Sequence, residues 1–464
     1  RVIEMTDLDS VPAAIHAAAL AVVVLLPLSA WLWRKPRPYE LHRRGTLILE
    51  ARRQPWMRHF RGLRQHRDRI TLAGLAVAPL DETKHFKLVG TTGTGKSTAI
   101  RELLEAALQR GDRAVISDPD GGYLARLHRR YRGDIVLNPF EADAVQWDPF
   151  AEVRDAYDIE QLASALIPHS EDPSTREWRA YARTFFAALI RCRCGRRGHN
   201  LSELWRLLAM APNDELRVLV AGTSAQPFLE AENARMFGSI RSVMLSAVGA
   251  LEHIKAQRAR LFSVREWVRN GRGVLFIPYR AGQIAALRAI ISAWVRLAIV
   301  EAMSQPENCD QRLWFVVDEL DALGAIDGLK DALARLRKFG GRCVLGFQSI
   351  AQVSTTYGAG EAQTIVENCG NTLILRCAGS ENGGTSQFAS RLIGDREVLR
   401  RQTSRGRERD NGFALRGARR SLQTSEHYAT EAAVLPSELE QLPDLSGYLK
   451  LSSSACWRRV SLRR

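Results

Sequence analysis

At 464 residues and 45% hydrophobic content, the chain is long enough for two or three domains with buried cores, which excludes a small disulfide-stapled scaffold. Its formal net charge of +15 favours an anionic partner, either nucleic acid or an acidic lipid surface. The seven cysteines are odd in number and lack paired C-x-x-C spacing, which argues for a reducing compartment; Cys192, Cys194 and His199 lack a fourth metal ligand and read as ordinary side chains.

The first predicted element is a membrane span. No charged residue occurs from Ser10 to Trp33, and as a helix that run would be roughly 36 Å long, enough to cross a hydrocarbon core. Glu4, Asp7 and Asp9 precede it, while Arg34, Lys35, Arg37, Arg43 and Arg44 follow it. By the positive-inside rule everything after residue 34 is expected in the cytoplasm, with Trp31 and Trp33 at the interface. The transmembrane helix is expected at about 11–33 within an N-terminal segment of residues 1–38. Because the first residue is Arg1, the chain is expected to begin inside a longer protein.

Residues 39–150 are read as the first part of a nucleotide-binding domain. A short apolar strand, Phe86 to Val89, runs into Gly90, Thr91, Thr92, Gly93, Thr94, Gly95, Lys96 and Ser97, and a helical pattern begins at Thr98. This is G-x4-G-K-S in the strand–loop–helix setting of a P-loop. Its glycines let successive backbone N–H groups face phosphate oxygens, and the helix N-terminus adds partial positive charge. Lys96 is expected on the β- and γ-phosphates of ATP, and the Ser97 hydroxyl on Mg2+.

Residues 151–265 lack strand-like runs and show helical periodicity over Ile159 to Ile167, Trp178 to Cys192, Leu201 to Met210 and Ser239 to Arg260. Pro168, Pro173, Pro212 and Pro227 punctuate them. The reading is an all-α domain inserted into an α/β core.

Residues 266–464 resume that core with a strand over Gly273 to Tyr279 and a helix over Ile284 to Met303. The apolar strand from Leu313 ends in Asp318 and Glu319. At the carboxyl end of a strand both acids can reach the crevice, Asp318 to hold hydrated magnesium and Glu319 to deprotonate the attacking water. The strand Arg342 to Phe347 ends in Gln348, either a γ-phosphate sensor or a plain surface amide. Two more strands are expected at Thr372 to Cys377 and Tyr448 to Ser452. Alternation of this kind predicts a largely parallel, RecA-like sheet. Arg400 to Tyr428 is arginine-rich without an apolar period, and reads as a solvated loop or a nucleic-acid or partner contact.

With these pieces in place the sequence resembles the type IV secretion coupling proteins, the TraD-type conjugation ATPases of the FtsK–HerA division. The resemblance runs from about Arg34 to the end. It rests on an ordered set: Val115 to Gly121, Leu137 to Phe140, Trp147 to Phe150, Val317 to Leu320, Gly346 to Gln352, and Leu435 to Leu439 with Leu442 and Pro443. It implies an inner-membrane homohexamer that hydrolyses ATP at subunit interfaces and hands single-stranded DNA with its relaxase to the type IV secretion channel. It implies a helical insert linked with substrate docking, and a trans-acting arginine, here Arg337 with Arg376 as second choice. The family usually has two transmembrane helices, so a first helix is expected upstream unless this is a single-span variant. Two other readings keep the nucleotide site: a coupling ATPase for protein effectors, and an ATP-binding docking platform with little hydrolysis.

Overall fold

The computed structural model describes residues 39–50, 69–170, 172–194, 200–308, 310–381, 383–408 and 419–463. The predicted membrane helix at 11–33 and His199 lie outside them. Among the described residues no helix is long and apolar enough to cross a membrane. The chain forms two compact units, one over 48–393 and 434–464, the other over residues up to 47 and 394–433.

In chain order the strands begin with β1 (Tyr39–Gly45), β2 (Ile48–Glu50), β3 (Thr71–Leu72), β4 (Leu75–Ala76), β5 (Phe86–Val89), β6 (Arg113–Pro119), β7 (Ile135–Val136) and β8 (Gln146–Trp147). Then come β9 (Leu261–Phe262), β10 (Val274–Tyr279), β11 (Leu313–Val317), β12 (Gly341–Phe347) and β13 (Asn371–Ile374). The last are β14 (Asp395–Glu408), β15 (Arg419–Ala432), β16 (Ser446–Lys450) and β17 (Trp457–Ser461).

The larger unit is built on a ten-stranded sheet of order β2-β17-β16-β13-β5-β12-β11-β6-β10-β7. From β13 to β7 every neighbouring pair is parallel, while β16 pairs antiparallel with both β13 and β17. Strands β5, β10, β11 and β12 are buried along their whole length, as continuous apolar runs covered on both faces must be. The helix Lys96–Gln109 lays Ile100, Leu103, Leu104 and Ala107 on the sheet, a 3.6-residue stripe that packs in one core with Phe86, Trp314 and Leu373. A parallel sheet gathers its carboxyl ends on one edge. The loops after β5, β6, β11 and β12 therefore converge there.

Between β8 and β9 the chain is helical, as the periodicity predicts, with helices Ala156–Leu166, Pro173–Arg193, Leu201–Ala209, Asn213–Leu219, Ala234–Val248 and Leu251–Lys255. The run expected as one helix to Arg260 breaks at Gly249 and ends at Lys255. Strands β8 and β9 pair in parallel at the neck of this insert. There the buried Glu152 carboxylate accepts from Trp147 Nε1 (2.7 Å), Ser263 Oγ (3.0 Å), Val264 N (2.6 Å) and Arg265 N (3.0 Å). One carboxylate thus ties the entrance of the insert to its exit.

The smaller unit is the antiparallel sheet β1-β14-β15. The arginine-rich stretch expected to be irregular forms most of it, with residues 409–418 outside the description. Its register is carried by charge rather than by an apolar period: Arg396 stands opposite Glu431 and pairs with it at 2.9 Å, and Arg401 pairs with Glu426 opposite it.

Candidate nucleotide site

The site begins where β5 ends. Gly93 (φ +77°) and Gly95 (φ +118°) occupy left-handed backbone, which turns the loop tightly enough for the helix to start at Lys96. Space is as decisive as conformation at Gly90, where a Cβ would stand 2.9 Å from both Leu375 Cβ and Thr94 Oγ1. The loop is fixed from outside and within. Thr91 N donates to Arg376 O (2.9 Å), Leu445 N donates to Thr94 O (2.9 Å), and Thr94 Oγ1 donates to Thr91 O (2.7 Å).

Lys96 is buried, and its ammonium donates to Gly90 O (2.5 Å) and Thr91 O (3.2 Å). Burial lowers its pKa, opposed by the nearby Asp318 and Glu319 carboxylates. Among the described residues the cation is hydrogen-bonded by backbone carbonyls alone, with Asp318 and Glu319 nearby but not ion-paired to it, so an anion entering the cradle meets a charge still open to it.

Asp318 follows β11. Its Oδ2 accepts from Ser97 Oγ (2.6 Å) and from Tyr123 OH (2.7 Å), while Oδ1 is buried without a hydrogen-bond partner among the described residues. A buried carboxylate oxygen left open costs desolvation energy, and hard divalent cations take oxygen donors of this kind. The Ser97 hydroxyl and the Asp318 carboxylate therefore fit magnesium. Gly346 on the adjacent β12 makes the approach possible: a Cβ there would stand 2.3 Å from Asp318 O and 2.9 Å from Asp318 Oδ1.

Glu319 lies beside it, with its pKa raised by burial and then by the charges of Asp318 and Asp321. Raising the pKa of a carboxylate makes it a better proton acceptor. Gln348, at the end of β12, donates through Nε2 to Glu319 Oε1 (3.1 Å) and accepts through Oε1 from Thr92 Oγ1 (2.8 Å). A single amide thus links the phosphate loop to the basic carboxylate.

The structure therefore brings together Gly90 through Thr98, Asp318, Glu319 and Gln348. Arg337 is not among them. It is exposed in the turn Leu336–Phe339 before β12, beside His85 at the amino-terminal edge of the sheet. The Arg376 carbonyl braces Thr91, and its guanidinium pairs with Asp444 (2.7 Å) and donates to Leu442 O (3.3 Å). Cys343, Cys369 and Cys377 are buried thiols with raised pKa values, while Cys192 and Cys194 are partly exposed.

Sequence reasoning assigned no role to Tyr123 or Asp118. The Asp118 carboxylate accepts from Tyr123 N (3.0 Å) and Leu124 N (2.7 Å), which sets the turn that aims the Tyr123 hydroxyl at Asp318. The available signal was the Asp118 to Gly121 turn closing β6, two residues before the tyrosine, with Gly121 at φ +70°.

The family described as the type IV secretion-system coupling protein DNA-binding domain matches residues 69–463. The coupling protein TraD of Escherichia coli (strain K12) is 30% identical over 403 residues, 85% of this chain and 54% of that protein. The chain thus spans about half the length of that relative. Among solved structures, the bacterial conjugative coupling protein TrwBdeltaN70 in its unbound monoclinic form superposes with a TM-score of 0.78 at 30% identity, covering 92% of this chain and 95% of that one. The plasmid coupling protein TrwB in complex with ADP and Mg2+ gives a TM-score of 0.76 at 30% identity, covering 93% of this chain and 95% of that one.

Proposed function

This chain belongs to the type IV secretion-system coupling protein family, and from that premise we propose that it is a magnesium-dependent ATPase that recruits a relaxase with single-stranded DNA and drives its transfer to the conjugation channel. The observation that carries the reading is the Ser97–Asp318 contact of 2.6 Å beneath the glycine loop, with Glu319 held by Gln348 alongside.

In this reading the loop amides and Lys96 bind the phosphates, with Lys96 leaving Gly90 O and Thr91 O for the β- and γ-oxygens. Ser97 and Asp318 hold magnesium, which when bound supplies charge neutralisation between those oxygens. Tyr123 keeps the Asp318 carboxylate in place. Glu319 orients the attacking water and takes its proton, and Gln348 fixes Glu319 and reads the state of the loop through Thr92. A homohexamer anchored in the bacterial inner membrane with its bulk in the cytoplasm completes the proposal. Arg337, exposed at the opposite edge of the sheet from Lys96, acts in it only toward a neighbouring subunit's nucleotide, and Arg376 is the second choice.

The test is turnover and transfer in the same variants. Lys96→Ala abolishes DNA-stimulated ATP hydrolysis with folding intact, and unchanged turnover overturns the ATPase. Glu319→Gln binds ATP yet stops DNA transfer; normal transfer by that variant makes the protein a docking platform instead. Capture of effector proteins in place of a relaxase by the helical insert reassigns the cargo.

A further inference from the structure

A cavity of about 730 Å³ lies within the larger unit between the helical insert and the core. Helices Pro173–Arg193 and Ala234–Val248 form one wall, Ile284–Met303 another, and the floor is the chain from Leu323 to Asp327. That floor starts four residues after Glu319. It is pinned in place by Ser292 Oγ donating to Leu323 O (2.6 Å) and by Tyr357 OH accepting from Ile326 N (3.2 Å).

The charge inside is one-sided. Arg179, Arg288 and Arg296 line the space against a single carboxylate, Asp327. Asp327 is taken by Arg296 at 3.0 Å. Among the described residues Arg179 has only the Pro168 carbonyl, at 3.3 Å. The stem of Arg288 lies over Gly324, whose Cβ would meet Arg288 Cδ at 3.4 Å, and its guanidinium has no partner among the described residues. Arg183 is held below its usual pKa first by burial, opposed by the charge of Asp327 and then reinforced by Arg179 and Arg296, and His169 is likewise held below its usual pKa first by burial and then by Arg183.

Arg296 is thus paired, while the partly exposed Arg179 and the exposed Arg288 are left to present guanidinium groups to a space whose size is that of small-molecule sites. The remaining wall is mostly apolar, through residues such as Leu166, Val243 and Ala289, with Thr175, Ser242 and Ser246 among them, and it includes Trp178, whose ring meets Tyr181 edge-on at 89° rather than stacking on it. Guanidinium groups match phosphate geometry, and an indole with an apolar wall suits a planar ring.

We propose that this cavity binds a nucleotide-sized phosphoanion carrying an aromatic base, either a free nucleotide or one unit of a single DNA strand. The ligand bridges the insert to the loop that leaves the catalytic acids. Its occupancy thereby bears on where Asp318 and Glu319 sit. The inference leans on the proposed function only in naming DNA as one source of the phosphate.

The test uses the full chain with ADP and magnesium saturating the P-loop, and measures binding of labelled dTMP and of a labelled short oligothymidylate. Arg179→Ala with Arg288→Ala weakens the bound probe at least tenfold. If the strand is the ligand, the double variant also flattens the log–log salt dependence by about 1.4, since each phosphate contact on a single strand contributes ~0.7. Weakening of dTMP, with competition between the probes, identifies the free nucleotide; weakening of the oligonucleotide alone identifies the strand. Unchanged affinity for both overturns the proposal. Arg288→Glu, a single exchange at an exposed position, repeats the measurement should the double variant fold poorly. Lys96→Ala leaves oligonucleotide affinity intact while removing turnover, so the two readings fail separately.

Discussion

The two edges of the central sheet handle buried charge in opposite ways. At the amino-terminal edge, Glu82 accepts from Arg110 through both oxygens (2.8 and 2.9 Å) and from Arg342 (3.0 Å), and Asp112 accepts from Arg110 (3.0 Å) and Trp314 Nε1 (2.9 Å). Lys87, next to them, donates to Val366 O and Cys369 O. At the carboxyl-terminal edge Lys96, like Lys87, rests on carbonyls, but among the described residues Asp318 keeps an open oxygen and Glu319 is held by one amide. Both edges are buried ion clusters by composition. What separates them is saturation: a carboxylate whose acceptor sites are filled is doing structural work, and one left short is waiting for a ligand.

Neutralising one carboxylate at each edge breaks or sharpens that contrast. Asp318→Asn removes the cation-holding charge, and ATP turnover falls about a thousandfold, which is ~4 kcal/mol of barrier. Thermal stability holds or rises, because Asp118 and Glu319 lose a like-charged neighbour. Glu82→Gln does the reverse. It leaves Arg110 and Arg342 short of a partner, and breaking a buried pair from one side costs roughly 3–5 kcal/mol. Urea unfolding of the two variants, with turnover per folded molecule, checks both. A Glu82→Gln protein that loses turnover but keeps its stability would mean that the edges are not distinct.

Much of the carboxyl-terminal edge was legible because its chemistry is local in sequence. A glycine loop must follow a strand and open a helix, and Asp318 with Glu319 must end one. The helical insert was legible for a similar reason, since period and proline spacing are local signals; its break at Gly249 was not, because glycine inside a helical pattern is often tolerated. The brace of Tyr123 on Asp318 joins residues 195 apart in the chain, and no local pattern announces such a contact. The β14–β15 ladder was missed because its strands carry cross-strand ion pairs instead of alternating apolar residues. The whole amino-terminal network went unread for the same cause: Glu82, Arg110 and Arg342 look like surface charges until the sheet brings them together.

A milder probe of the amino-terminal edge is pH. His85 is buried, accepts from Cys343 N through Nδ1 (3.0 Å) and so donates from Nε2 to Leu333 O (2.9 Å), which requires the neutral ring. Burial pushes its pKa down from 6.5 to about 4. Between those values the unfolded chain binds the proton and the native state does not, so stability is full above pH 6.5 and declines as pH falls toward 4. The loss from this one group is roughly 3 kcal/mol by linkage. Denaturant midpoints across the window check it, and His85→Gln removes the His85 share of that slope. An unaltered slope in the variant would place the acid sensitivity elsewhere.

The smallest change tests the carboxyl-terminal edge by its weakest link. Thr92→Val keeps the shape of the loop and deletes only the hydroxyl donated to Gln348. Deleting one neutral hydrogen bond is worth about 1 kcal/mol, and Gln348 Nε2 still reaches Glu319. If Gln348 acts by fixing the base, kcat falls about fivefold with KM for ATP nearly unchanged, since the loss falls on the chemical step. If the contact served only to stiffen the loop, KM rises and kcat holds. Gln348→Ala lowers kcat further than Thr92→Val does, because it frees the Glu319 carboxylate as well as the loop; equal effects in the two variants would show that the amide's contact with Glu319 contributes nothing to turnover.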